Sequence, residues 1–155
     1  MKYGEFLRRF SEETGIDTHS VEGQSGFQLA FTDGSQINFE LSEEGHFFDV
    51  HLTLIEVPHD NKVAIYEALL AGHLFGIMSG GLSFGLSPEG DRLLIFTRVD
   101  LDDCLKEQLR SLVLTFAEVK QDWLSRIAQI MGSEQAAPAV PIPEEHLLRS
   151  SLGRV

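Results

Sequence analysis

Residues 69–99 read LLAGHLFGIMSGGLSFGLSPEGDRLLIFTRV, and the order of the periods in this stretch decides the fold. A leucine-rich helical end runs into a glycine-rich break, Gly76 to Gly81. Two short apolar runs follow, Leu82–Leu86 and Leu93–Val99, joined by Ser87-Pro88-Glu89-Gly90-Asp91, a turn-forming composition. A helix leading into a hairpin, with no alternation of strand and helix, points away from a parallel α/β sheet and toward an α+β fold.

Downstream of this stretch, Leu101, Leu105, Leu109, Leu112, Phe116, Val119, Trp123, Ile127 and Ile130 recur three or four apart, the period of a long helix with one apolar face. Asp100 reads as its N-cap, with Asp102 and Asp103 at the positive end of the helix dipole. Beyond Gly132 the composition turns to AAPAVPIP, which neither continues a helix nor builds a core. Residues 1–133 are therefore read as one domain and 134–155 as a mobile tail.

Upstream, the spacing predicts a helix over Lys62–Phe75 capped by Asp60 or Asn61, with Val63, Tyr66, Leu69, Leu70 and Leu74 at inward or interface positions. Before it, His46–Val57 alternates as a strand, with Phe48, Val50, Leu52 and Leu54 on one face. Phe27, Leu29 and Phe31 pair through Asp33-Gly34 with Ile37, Phe39 and Leu41, a hairpin with one apolar face. Tyr3, Phe6, Leu7 and Phe10 lie at helical spacing ahead of Gly15, a natural stop. The predicted order is α-β-β-β-α-β-β-α around an antiparallel sheet.

Composition narrows the function. With 155 residues the chain can bury roughly 70% of the surface its unfolded form exposes. Twenty-four acidic residues face twelve basic ones, and the net charge is −12. Such a field repels phosphate backbones and anionic lipid, which argues against nucleic-acid and membrane-surface partners. One cysteine, Cys104, forms no internal disulfide and suits a reducing compartment. The N-terminus lacks a secretion-signal pattern and no apolar run reaches the ~20 residues of a membrane span. The expectation is a soluble cytoplasmic protein without membrane insertion.

Motifs that could carry chemistry dissolve on inspection. Gly81-Leu82-Ser83-Phe84-Gly85 satisfies G-x-S-x-G, but the nucleophile elbow needs a strand before the serine and a helix after it, and here the order is reversed. Asp49 and His51 project to one face of a strand, yet two ligands do not make a structural metal site. The Gly76–Gly81 break has no lysine followed by Ser or Thr and follows a helix, so it is no phosphate loop. Cys104 beside Leu101 and Leu105 reads as a packed side chain. The expectation is no enzyme, no metal and no cofactor. What remains is an excess of apolar residues over one small core: Phe47 and Ile55 on the second face of their strand, Phe6 and Phe10, and Tyr66, Leu70 and Phe75.

Several segments together resemble the class I chaperones of bacterial type III secretion, the Tir-chaperone (CesT-like) family. They are Phe10-Ser11-Glu12-Glu13-Thr14-Gly15-Ile16, the Leu69-Leu70 … Leu74-Phe75-Gly76 helix end, and Gly80-Gly81-Leu82-Ser83-Phe84-Gly85-Leu86. Arg92-Leu93-Leu94-Ile95-Phe96, Leu101-Asp102-Asp103 and the helix through Phe116 and Trp123 complete the set, over roughly residues 3–131. The resemblance implies a homodimer with a twisted antiparallel sheet flanked by helices, formed through Tyr66, Leu70, Leu74, Phe75, Leu82, Phe84 and Ile95. It implies a client, the N-terminal region of a secreted effector bound in extended form, and the secretion-system ATPase as a further partner. By position, Phe6, Phe10, Phe27, Leu29, Ile37, Phe39 and Phe47 line the effector groove. Two other readings compete: a YbjN-like α+β protein with a regulatory or stress role, and a cone-shaped enzyme of the nuclear-transport-factor-2-like kind. The second needs Asp49 and His51 to face inward, which the apolar alternation on the opposite face opposes.

Overall fold

The computed structural model describes residues 2–14, 24–103 and 106–132. Three helices and five strands follow the predicted order: α1 (Tyr3–Thr14), β1 (Gly26–Ala30), β2 (Gln36–Leu41), β3 (Phe47–Glu56), α2 (Lys62–His73), β4 (Ser83–Leu86), β5 (Arg92–Asp100) and α3 (Lys106–Ile130). The strands form a sheet in the order β1-β2-β3-β5-β4. The chain is an α+β protein with a five-stranded antiparallel sheet, and its residues fall into two compact units.

The first unit contains residues 2–52 and 97–113 of the described chain. Its core is aromatic. Phe27 and Phe39 are register partners across β1 and β2, and their rings stack 4.5 Å apart within 4° of parallel. Phe48 meets both edge-on, at 5.5 and 5.8 Å, and meets Phe6 of α1 at 5.0 Å. Phe10 closes the cluster against Phe6 and Phe27. Offset and edge-on pairs of this kind add about 0.5–1.5 kcal/mol each beyond the area they bury. The outer surface of α1 carries an exposed Arg8–Glu12 ion pair at 2.6 Å, worth only about 0.3–0.5 kcal/mol at i,i+4 spacing.

The second unit contains residues 53–96 and 114–132 of the described chain. Here Trp123 of α3 organises the interior. Its indole N–H donates to the Met78 carbonyl at 2.8 Å, and Phe84 of β4 meets its ring edge-on at 5.0 Å. Gly72 of α2 lies directly beneath the indole: a Cβ there would sit 2.4 Å from the ring, so only glycine lets α2 approach. Ile65, Leu69, Leu82, Leu93, Ile95, Phe116 and Ile127 are also buried in this unit.

Three local expectations need correction. Helix α2 ends at His73, two residues early, and Leu74–Gly76 form a single 3-10 turn. Asn61 precedes α2 in a left-handed conformation (φ 60°) and makes no side-chain cap. Asp100 closes β5 instead of capping α3: its carboxylate accepts from the Asp102 N–H at 2.8 Å, and Leu101–Asp103 form a turn. The side-chain bond to a nearby N–H that was expected at a helix start is made in a turn, which Asp favours equally. The α3 stripe also includes Val113 and Ala117, while Leu112 is half-buried. Cys104, Leu105, Gly15 and the segment 134–155 lie outside the described residues.

Candidate functional site

The alternation of β3 is as predicted. Phe48, Val50, Leu52 and Leu54 are buried, and Phe47, Asp49, His51, Thr53 and Ile55 are half-exposed. In the first unit the half-exposed residues make a polar network. Asp49 receives two hydrogen bonds from the Arg98 guanidinium, at 2.7 and 2.9 Å, a bidentate pair. The hydrogen bond from Arg98 holds the Asp49 carboxyl below its ordinary range, the charge of the same guanidinium adding to it. The Arg98 guanidinium also lies 5.9 Å from the Phe47 ring centre. His51 comes within 3.8 Å of Glu40 on β2. The Asp49 carboxylate that could have ligated a metal is therefore occupied by an arginine, and no group of three metal-binding side chains occurs among the described residues.

Six of the seven residues expected to line an effector groove sit in this unit's interior. Phe6, Phe10, Phe27, Leu29, Ile37 and Phe39 are each at most 5% exposed. They are the core that fixes α1 on β1 and β2, because pairing the hairpin in register puts Phe27, Leu29, Ile37 and Phe39 all on the side that α1 covers. Phe47 alone of the seven reaches the surface.

The second unit is different. Every large apolar side chain that is exposed among the described residues belongs to it: Val63, Leu70, Leu74, Phe75, Ile77, Leu86, Phe96 and Met131. Three of the expected dimer residues, Leu70, Leu74 and Phe75, are 72%, 58% and 89% exposed. Tyr66 and Phe84 are half-buried, the latter against Trp123 and His73. Leu82 and Ile95 are in the core, since the β4–β5 register places Ile95 opposite Phe84 on the Trp123 side. Ile77, Leu86 and Phe96 were not expected at the surface. Ile77 lies in the glycine-rich break, where no period assigns a face. Phe96 is opposite Ser83, on the outer face of the hairpin, where its ring lies over Gly85.

The turn after α2 is the sharpest local feature. Phe75 has φ 56° and ψ 18°, left-handed geometry that a bulky side chain adopts at a cost of about 1–2 kcal/mol. Gly76 follows at φ 70°. Of the segments that flank it, Gly72, Ser79 and Leu82 face inward, while Leu74, Phe75 and Ile77 face out.

Among known proteins, the chain matches the model of the Tir chaperone protein (CesT) family over residues 5–124. No curated protein sequence matches it. Its fold is similar to that of a chain in the HopA1–SchA chaperone–effector complex, with TM-score 0.61, 14% identity, and 78% of this chain and 91% of the other covered. It is also similar to a chain of the heterodimeric ExoU–SpcU complex from the type III secretion system of Pseudomonas aeruginosa, at TM-score 0.56 and 14% identity over 80% and 95%. The ExsC–ExsE complex contains a third, at TM-score 0.60 and 12% identity over 90% and 100%. At such identities the likeness is one of fold.

Proposed function

The chain belongs to the Tir chaperone protein (CesT) family, and from that premise we propose that it is a type III secretion chaperone whose work is binding, without turnover. It takes the N-terminal region of an effector in extended form and keeps it soluble and competent for secretion in the bacterial cytoplasm. The observation that carries this is the family match across most of the chain, over a fold similar to that of chains in a chaperone–effector complex and in a heterodimeric complex of a type III secretion system. No helix among the described residues is long and apolar enough to cross a membrane.

A division of labour between the two units supports the reading. We assign client capture to the first unit, where β1 is hydrogen-bonded, among the described residues, to β2 alone, and an extended segment can add to its other edge. The buried Phe6, Phe10, Phe27, Leu29, Ile37 and Phe39 are the rigid support of that edge, and Phe47 of β3 with Arg98 of β5, on the other face of the sheet, is a second, exposed contact for the client. We assign homodimerisation to the second unit, through α2 and the turn that follows it, because uncovered apolar side chains concentrate there.

Co-expression with the product of the neighbouring gene tests the function, and the expected result is a stable co-purifying complex. Phe47→Asp should weaken that complex at least tenfold and leave the melting temperature unchanged. Undiminished binding by this variant would falsify the Phe47 contact; absence of any co-purifying neighbour from a folded chaperone would remove the client itself.

A further inference from the structure

On the face of the sheet opposite the aromatic core of the first unit, β2 and β3 bring two carboxylates together. Glu40 and Asp49 are register partners across this antiparallel pair, a placement that is unfavourable when both are charged. Asp49 is neutralised, because the Arg98 guanidinium of β5 grips it by two hydrogen bonds, at 2.7 and 2.9 Å. Glu40 is not. Among the described residues no lysine or arginine pairs with it, and its one basic neighbour is His51, whose Nε2 lies 3.8 Å from a carboxylate oxygen. That is beyond hydrogen-bond distance, and an imidazole is a cation only when protonated. The charged groups around His51 are few. Glu40 faces it from β2, and Asp49, with Arg98 on it, shares its face of β3. A charged His51 acts on Asp49, and Glu44 of the β2–β3 turn acts on Arg98. Asn38, the register partner of His51, and Gln28, the partner of Asn38 on β1, are uncharged.

This face therefore offers a carboxylate without a permanent cation, and beside it a side chain that becomes a cation on acidification. We infer that Glu40 takes a lysine or arginine of the bound client, and that His51, once protonated, competes with that side chain for the same carboxylate. This rests on the client reading proposed above, and adds to it the chemistry of one client residue and a dependence on pH. Charge complementarity selects the occupant. The molecule has a net charge of −12, which attracts a basic segment and repels an acidic one. Phe47 lies on the same face of β3 as His51, so the segment that fits has an apolar residue near its cation. Competition fixes the sign of the pH effect. With His51 neutral, Glu40 is open to the client; with His51 protonated, a positive charge already stands against Glu40, and affinity falls. Linkage requires the converse, that client binding drives a proton off His51.

Isothermal titration of the full chain with a peptide of the N-terminal region of the neighbouring gene's product, at pH 5.5, 6.5 and 7.5 and constant ionic strength, tests it. The wild-type dissociation constant should rise at least about fivefold from pH 7.5 to pH 5.5. His51→Gln should match the wild type at pH 7.5 and vary by less than about twofold across the range. His51→Lys, a permanent cation, should bind weakly at every pH. Glu40→Gln should weaken binding about tenfold at pH 7.5 and lose the pH dependence. At pH 6.5 wild-type binding should release protons, seen as a heat that varies with the ionisation enthalpy of the buffer, and His51→Gln binding should not. All variants should melt within about 2 °C of the wild type or above it, since both side chains reach the surface. A wild-type affinity level across the range, or a pH dependence that persists in His51→Gln, overturns the competition. Wild-type affinity at pH 7.5 in Glu40→Gln or His51→Lys overturns the role of Glu40. No binding by the wild type at any pH overturns the client reading itself, and the inference with it.

Discussion

Tyr3 shows how one atom can set a pH limit. Its ring stacks on Phe6 and meets Phe48 edge-on, and its hydroxyl has no hydrogen-bond partner among the described residues. Burial pushes that hydroxyl up from its ordinary value of 10.0 to about 12. Between these two values the unfolded chain releases the proton and the folded chain keeps it. The corresponding stability is complete below about pH 10 and is lost as pH rises toward 12. Tyr3→Phe should leave the fold as stable as before at pH 7, or more stable by up to about 1 kcal/mol, because an unpaired buried hydroxyl is removed. Urea melts from pH 9 upward should show a shallower alkaline decline in the variant; an equally steep decline would assign it to other groups. Asn61 and Phe75 make a complementary contrast at this scale. Both have positive φ, which is ordinary for asparagine and unusual for phenylalanine.

At the scale of an element, α2 is apolar on two faces with different fates. Ile65 and Leu69 are buried, and Val63 and Leu70 are exposed. Neighbouring leucines therefore give opposite results. Leu69→Ala should cost about 2–5 kcal/mol in a denaturant melt by leaving a cavity. Leu70→Glu should change the monomer's stability by no more than about 0.5 kcal/mol while abolishing the proposed dimer, with light scattering as the measurement. A Leu70→Glu dimer of normal affinity would clear α2 of the interface. The same helix shows what was legible in advance. Its start, its length to within two residues and its surplus of leucine are written in the spacing. Its end is not, because the chain leaves the helix at Leu74, at ψ 120°, and then turns through a left-handed Phe75, and no local pattern marks either residue. β3 was legible side by side, since a period of two separates its faces without ambiguity. In α1 and the first hairpin the period correctly grouped Phe6, Phe10, Phe27 and Phe39 on one side. It could not say whether that side met a partner or the chain itself, because a phenylalanine in a core and one in a groove have the same spacing.

For the whole molecule, the net charge of −12 is both a protection and an obstacle. It keeps copies apart in solution, and it opposes every encounter in which two copies meet. If they meet through the uncharged residues 68–88, screening should help them. Raising sodium chloride from 50 to 500 mM shortens the reach of the repulsion from above 10 Å to below it, and the dimer dissociation constant should fall several-fold in sedimentation runs. A constant that rises with salt would mean that ion pairs hold the dimer, contrary to an apolar seam.

The route of the chain has a practical consequence for anyone dissecting this protein. The backbone passes from one compact unit to the other at Leu52–Thr53, returns at Phe96–Thr97 and leaves again at Val113–Leu114, inside β3, β5 and α3. Neither unit is an uninterrupted piece of gene. A nested series of truncations, the usual way to map a binding region, leaves at least one unit without part of its chain at every cut. Loss of binding by such a fragment would report a damaged unit as readily as a missing contact. Separating the two activities is a task for single side chains on intact protein.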